Sequence, residues 1–183
     1  MSKVKIVTIP DPVLRQKSRP VSEIDKKVLE LIKSLKNALG VTKNVIGIGI
    51  AAPQIGNPSR VCLIYSKESR KFLTLINPEV IWQSKRTTLG IKDSKNPYEG
   101  CLSVPRIWGL VRRHNLIKIR YLNVNGQVVT RKFKGLTAVI AQHEIDHLDG
   151  ILFIDRVLKQ KGKLFEMKKN KSGKDELVEM DIV

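Results

Sequence analysis

The apolar positions change their spacing along the chain, and each spacing predicts a different element. Residues 4–9 alternate towards Pro10, which predicts a short strand or an extended arm. Asp11-Pro12-Val13-Leu14-Arg15 predicts a brief helical turn with Pro12 at its first position. A stripe at helical spacing follows: Ile24, Val28, Leu31, Ile32, Leu35 and Leu39. Ser22-Glu23-Ile24-Asp25 caps its start and Gly40 its end, so an amphipathic helix suited to covering a sheet lies here. Apolar runs at 61–65, 72–76 and 80–82 predict strands, the last two separated by a turn at Asn77-Pro78. Residues 116–122 and 128–133 predict a further pair, joined by a hairpin at Asn125-Gly126.

The remaining stretches are less regular. Residues 84–97 are polar, basic and aperiodic, and read as a loop. Gly135 opens a helix that Gly150 closes, and the apolar run at 151–154 reads as strand or extended chain. Basic residues dominate 156–174, which reads as a helix fraying into a tail. Short strands with a few unevenly placed helices predict an α+β domain. No repeat or linker divides it, so 1–158 is expected to be one catalytic unit and 159–183 a basic C-terminal helix or tail.

Composition alters this picture at one point. The 183 residues carry 34 Lys and Arg against 17 Asp and Glu, a formal charge of +17. Such an excess fits an anionic partner, RNA or a ribonucleoprotein surface, or else a plain lysine-rich exterior. With 5% aromatics there is no pattern of stacking platforms for reading RNA sequence. No apolar run approaches the ~20 residues of a membrane span, and the first residues do not resemble a signal peptide. A cytoplasmic protein without a membrane partner is expected. In that reducing compartment Cys62 and Cys101 stay unpaired, which leaves a thiolate for metal or chemistry.

Three stretches carry candidate chemistry. In Gln142-His143-Glu144-Ile145-Asp146-His147 the two histidines lie four apart, on one face of a helix, with a carboxylate beside the first. That is the H-E-x-x-H arrangement of two metal ligands and an acid placed to work on water; two surface histidines are the alternative. In Glu99-Gly100-Cys101-Leu102-Ser103, Cys101 sits in a polar loop and offers a third ligand. Three ligands leave a coordination position open, as catalytic sites do. Gly100 lets the backbone bend there. Cys62, inside Val61-Cys62-Leu63-Ile64, reads as core. In the Gly/Ala-rich segment 47–54, Gln54 could donate to a developing oxyanion; a tight glycine turn accounts for these residues equally well.

Together the three stretches resemble the signatures of the peptide deformylases: Gly-apolar-Gly-apolar-Ala-Ala-x-Gln, Glu-Gly-Cys-apolar-Ser and Gln-His-Glu-apolar-Asp-His-Leu-x-Gly. Gly47, Gly49, Ala51, Ala52 and Gln54 fill the first. Glu99, Gly100, Cys101 and Ser103 fill the second; Gln142, His143, Glu144, Asp146, His147, Leu148 and Gly150 fill the third. The order is the family's, and the resemblance covers roughly 4–158. It implies small antiparallel or mixed β-sheets packed around the H-E-x-x-H helix. It also implies removal of the formyl group from the formylmethionine of nascent peptides.

By the same resemblance Cys101, His143 and His147 hold one divalent metal, Fe2+ in most members, with Zn2+, Ni2+ or Co2+ able to occupy the site. Glu144 is implied as general base and then acid, and Gln54 with the Leu102 backbone N–H as oxyanion donors. The Gly49 backbone is implied to pair with an extended peptide. Leu136 and Val139 share the face of His143 and with Ile48 and Leu102 form either a slot for methionine or ordinary core. Asp146 either orients an imidazole or pairs with Arg113, and Glu99 fixes the loop before Cys101 through a salt bridge. Arg106 and Trp108 depart from the relatives, many of which carry a glycine soon after the proline. A monomer is expected, with ribosome association through the basic surface and the C-terminal segment.

Overall fold

Three antiparallel sheets meet at one buried helix in the computed structural model, which describes residues 4–41, 48–91 and 96–181. Helix α1 (Lys26–Val41) is followed by β1 (Gly49–Ala51), β2 (Val61–Ser66), β3 (Lys71–Gln83) and β4 (Thr87–Leu89). Then come β5 (Glu99–Cys101), β6 (Val104–Gly109), β7 (Arg112–His114), β8 (Leu116–Leu122) and β9 (Val128–Lys134). Helices α2 (Gly135–Leu148) and α3 (Phe153–Lys159) precede β10 (Leu164–Lys169) and β11 (Asp175–Glu179). The sheets run β1-β2-β3-β8-β9, β11-β10-β6-β5 and β4-β7. The α+β architecture expected from the sequence is the one observed.

Alternation decides which helix covers which face of the largest sheet. Cys62, Ile64, Ile117, Ile119 and Phe133 point to one side, against Ala138, Ala141, Ile145 and Leu148 of α2. Val61, Leu63 and Ile76 point to the other, against Leu31, Ile32 and Leu35 of α1. Asp25 starts α1 by accepting from the Val28 N–H at 2.9 Å. A third cluster, with Leu14, Val104, Phe153, Val157 and Leu164, lies beneath the four-stranded sheet. The N-terminal arm joins two signature segments: Val7 N–H donates to the Gln54 carbonyl at 2.8 Å, and Ile9 N–H to the Ser103 carbonyl at 2.9 Å.

Several sequence expectations are corrected. Residues 72–76 and 80–82 belong to one strand, because Asn77 adopts φ 52 and the β3–β8 register shifts there, so the chain bulges without turning back. The expected loop at 84–97 contains β4, paired with β7. Phe153 and Ile154 are helical, since Asp155 caps α3 through the Leu152 N–H at 2.7 Å. The basic helix expected over 156–174 ends at Lys159. Lys161 at φ 55 breaks it, and β10 and β11 form a hairpin turning at Gly173 with φ 76. In segment 47–54, Gly49 to Ala51 form an edge strand and a short 3-10 turn follows; Gly47 lies outside the described residues.

Gly150 at φ 73 ends α2 where an added Cβ would meet the Arg15 carbonyl oxygen at 2.6 Å. Gly40, inside α1, has open space around it. Gly150→Ala is therefore expected to destabilise the fold by more than about 1 kcal/mol, and Gly40→Ala to stabilise it by about 0.5–1 kcal/mol. Urea denaturation of the two variants measures these opposite signs.

Candidate metal centre and substrate cavity

Helical spacing puts both imidazoles of α2 on the side that faces β5. Cys101 arrives at the end of β5, and the ligand atoms of Cys101, His143 and His147 lie within 4.8 Å of one another. Cys101 Sγ is 3.1 Å from His147 Nε2. The Ser103 N–H also points to that sulfur, at 3.4 Å. His143 Nδ1 is 2.9 Å from Glu99 Oε2, which leaves Nε2 as its donor towards the cluster. One soft sulfur, two imidazoles and a buried carboxylate alongside fit a divalent metal of borderline softness.

Two carboxylates beside the cluster have opposite surroundings. Glu99 accepts from Arg113 Nε at 2.9 Å and from Arg113 Nη2 at 2.9 Å. Burial raises its carboxyl, but the guanidinium prevails and holds it at about 2. Glu144 is buried with no cation bonded to it, and burial pushes its carboxyl up to about 7. Among the described residues its Oε2 has no hydrogen-bond partner, nor has His147 Nδ1. Arg113 also bonds Asp146, and Arg156 Nε donates to the same carboxylate at 3.1 Å. Of the two roles open to Asp146, the structure shows the ion pair with Arg113; the imidazole is oriented by Glu99.

Gln54 is fixed by its own turn. Its Oε1 accepts from the Ala51 N–H at 2.9 Å, so the amide nitrogen must face the other way, 3.4 Å from Cys101 Sγ and 3.3 Å from Ser103 Oγ. Gly49 lies against Glu144, where an added Cβ would sit 2.3 Å from Oε1. Gly100 carries no positive φ; it leaves room for the Trp108 indole, 2.8 Å from where a Cβ would be. Space for a neighbour, more than freedom to bend, explains that glycine.

A cavity of ≈ 470 Å³ opens over these groups. Ile48, Gly49, Gln54, Cys101, Leu102, Leu136, Val139, His143 and Glu144 all line it, so the structure gathers every expected site residue except the buried ligand His147, which lies beneath. Tyr98, Ile91 and Ile140 line it as well and carried no local sequence signal. Both walls include strands, β1 and β5, that are sheet edges among the described residues. A cavity with a three-ligand metal set, a buried acid and an amide donor is equipped to hydrolyse an amide held in extended form.

Comparison with known proteins gives the same answer. The polypeptide deformylase family model matches residues 3–163. The chain belongs to that family. A peptide deformylase of Desulforudis audaxviator is 40% identical over 156 residues, 85% of this chain and 94% of the relative. The crystal structure of peptide deformylase from Thermotoga maritima superposes with a TM-score of 0.75 at 32% identity, covering 85% of this chain and 98% of that one. The Met-Ala-Ser-bound crystal structure of the class I type b enzyme from Acinetobacter baumannii gives 0.74 at 32%, covering 85% and 99%. As a member of the family the chain is a metal-dependent hydrolase that removes the N-terminal formyl group of formylmethionyl peptides.

The network around Arg113 gives a stability prediction. Arg113→Met leaves two buried carboxylates short of a cation and is expected to cost about 3–5 kcal/mol. In the parent protein the depressed Glu99 carboxyl contributes stability that is complete above its ordinary value of ~4.3 and is lost as the pH falls towards 2. In the variant only His143 still opposes burial at that carboxyl, so this acid sensitivity shrinks. Denaturant midpoints measured from pH 7 to pH 3 on both proteins check the two slopes.

Proposed function

We propose that Cys101, His143 and His147 hold one divalent metal and that Glu144, Gln54 and Leu102 carry out deformylation around it. The convergence of these groups on one cavity floor is the observation that supports this reading. Bound there, the metal supplies Lewis-acid polarisation and eases ionisation of water. We propose Fe2+ as the resident ion, with Zn2+, Ni2+ or Co2+ able to take the same borderline ligands.

The formylated peptide lies extended between the edges of β1 and β5, its backbone paired with Gly49. Ile48, Leu102, Leu136 and Val139 form the apolar slot for the methionine side chain. The Met-Ala-Ser peptide bound in the A. baumannii relative is the chemistry expected of a product held this way. Glu144 takes a proton from water as its oxygen attacks the formyl carbon. The Gln54 Nε2–H and the Leu102 N–H donate to the formyl oxygen as negative charge gathers on it. Glu144 then delivers the proton to the leaving amine, the C–N bond breaks, and formate departs. The neutral range, about 7, to which burial raises Glu144 suits a group that must both accept and return a proton.

We further propose a cytoplasmic monomer that carries its chemistry within 1–158. No helix among the described residues is long and apolar enough to cross a membrane. Residues 159–183 form a basic flank that favours the ribosome. Lys163, Lys168 and Lys169 are neutralised by Glu179, Glu166 and Asp175, so the attraction falls to Lys159, Lys161, Lys171 and Lys174.

Formate release from formyl-Met-Ala-Ser by anaerobically prepared Fe2+ or Ni2+ protein tests the mechanism. Glu144→Ala is expected to lower kcat by about 10²–10⁴. Absence of turnover in the parent protein, or an unimpaired variant, would overturn the assignment. For the flank, changing those four lysines to glutamate is expected to weaken ribosome co-sedimentation and flatten its dependence on salt. Unchanged, salt-insensitive co-sedimentation of the parent and the variant would refute it.

A further inference from the structure

The hairpin that carries Cys101 is not regular. Gly100 pairs with Trp108 and Cys101 with Val104, so a single step along β5 spans four along β6. Pro105, Arg106 and Ile107 take up the excess as a bulge, a device that re-aims side chains beside sites, and Pro105 and Arg106 line the cavity. Arg106 sits at its tip with φ 67, a conformation unfavourable to any residue with a Cβ. A glycine would hold this backbone without strain, so the arginine side chain needs a reason of its own.

The surroundings supply one. Arg106 Nη2 donates to the Met167 carbonyl at 2.8 Å, which tethers the head group at the cavity mouth. Glu166 is 3.7 Å away and shares its charge with Lys168 at 3.2 Å. The side chain remains 63% exposed, and among the described residues most of its five N–H donors are free for another acceptor. Among the described residues lining the cavity, Arg106 is the only lysine or arginine; the carboxylates Glu99 and Glu144 are buried at the floor. Arg106 lines the same cavity as the slot residues Ile48, Leu102, Leu136 and Val139, so residues that follow the methionine come within its reach.

We propose that Arg106 is a specificity residue that favours formylated peptides bearing a carboxylate at the second or third position. This rests on the deformylase function given above and concerns only which peptides turn over fastest. A partly exposed ion pair formed on peptide binding acts mainly through KM and weakens with salt.

The experiment measures formate release from four C-terminally amidated peptides: formyl-Met-Ala-Ser, formyl-Met-Asp-Ser, formyl-Met-Ala-Asp and formyl-Met-Lys-Ser. The parent protein, Arg106→Gln and Arg106→Glu are compared in the metal-loaded form. In the parent, kcat/KM for the better aspartate peptide is expected to exceed that for the lysine peptide about fivefold, as for one exposed ion pair. The ratio should approach one in Arg106→Gln, invert in Arg106→Glu, and shrink at about 0.5 M salt. Because each ratio is taken within one protein, a general loss of activity in a variant cancels. A parent ratio near one, or a ratio that survives both substitutions, overturns the proposal while turnover of formyl-Met-Ala-Ser leaves deformylation standing. No turnover of that neutral peptide by the parent removes both.

Discussion

The buried guanidinium of Arg113 is the interaction on which the site depends. It stands on β7 and bonds carboxylates of two other elements, Glu99 on β5 and Asp146 on α2. Glu99 lies two residues before Cys101, and Asp146 directly before His147. Glu99 also holds His143 by Nδ1, so one ionic cluster fixes the elements bearing all three ligands. Arg156 on α3 completes a set of two cations and two carboxylates. Such clusters add little net stability over well-packed hydrocarbon, since removing charges from water offsets their attraction. What a fully satisfied cluster does provide is a single arrangement, and a metal site needs its ligands placed before the metal arrives.

Close packing is the second constraint, and it acts through glycines. Gly49 lets β1 lie directly on Glu144, and Gly100 lets the Trp108 ring lie on β5. Each brings an edge strand against a side chain of the cavity, leaving backbone donors and acceptors of the edge available to an extended peptide. The N-terminal arm bonds both the Gln54 turn and the Cys101 turn, which joins these walls from behind.

How much of this could be read from the sequence depended on how local each signal was. Helix α1, strand β2, the β8–β9 hairpin and the His helix announced themselves through spacing over neighbouring residues. The short strands β4, β5, β6 and β7 did not, because pairing with distant partners sustains them and their own residues are polar or mixed. The many lysines of the C-terminal hairpin suit helix or strand alike, so the sequence predicts a helix there; the turn at Asn170 to Gly173 is the signal that separates the two. At the site, ligand types and spacing were legible because chemistry restricts them. The Arg113 link to Asp146 was one of two readings, and Tyr98 and Ile91 were invisible, since cavity walls are set by tertiary contact.

The contrast between Glu99 and Glu144 shows how the fold divides work between two carboxylates of one site. Both are buried, so desolvation raises both carboxyls. Glu99 has a guanidinium bonded to it and stays ionised to about 2, which makes it a dependable anchor for an imidazole. Glu144 has no cation bonded to it, keeps one oxygen without a partner, and is raised to about 7. An unsatisfied buried oxygen destabilises the fold, and a fold tolerates it only where the surroundings hold it in place. Here the close backbone of Gly49 does so. Opposite surroundings thus turn two chemically similar side chains into a fixed orienting group and a carboxyl poised near neutrality, the separation of pKa values that acid–base chemistry can use.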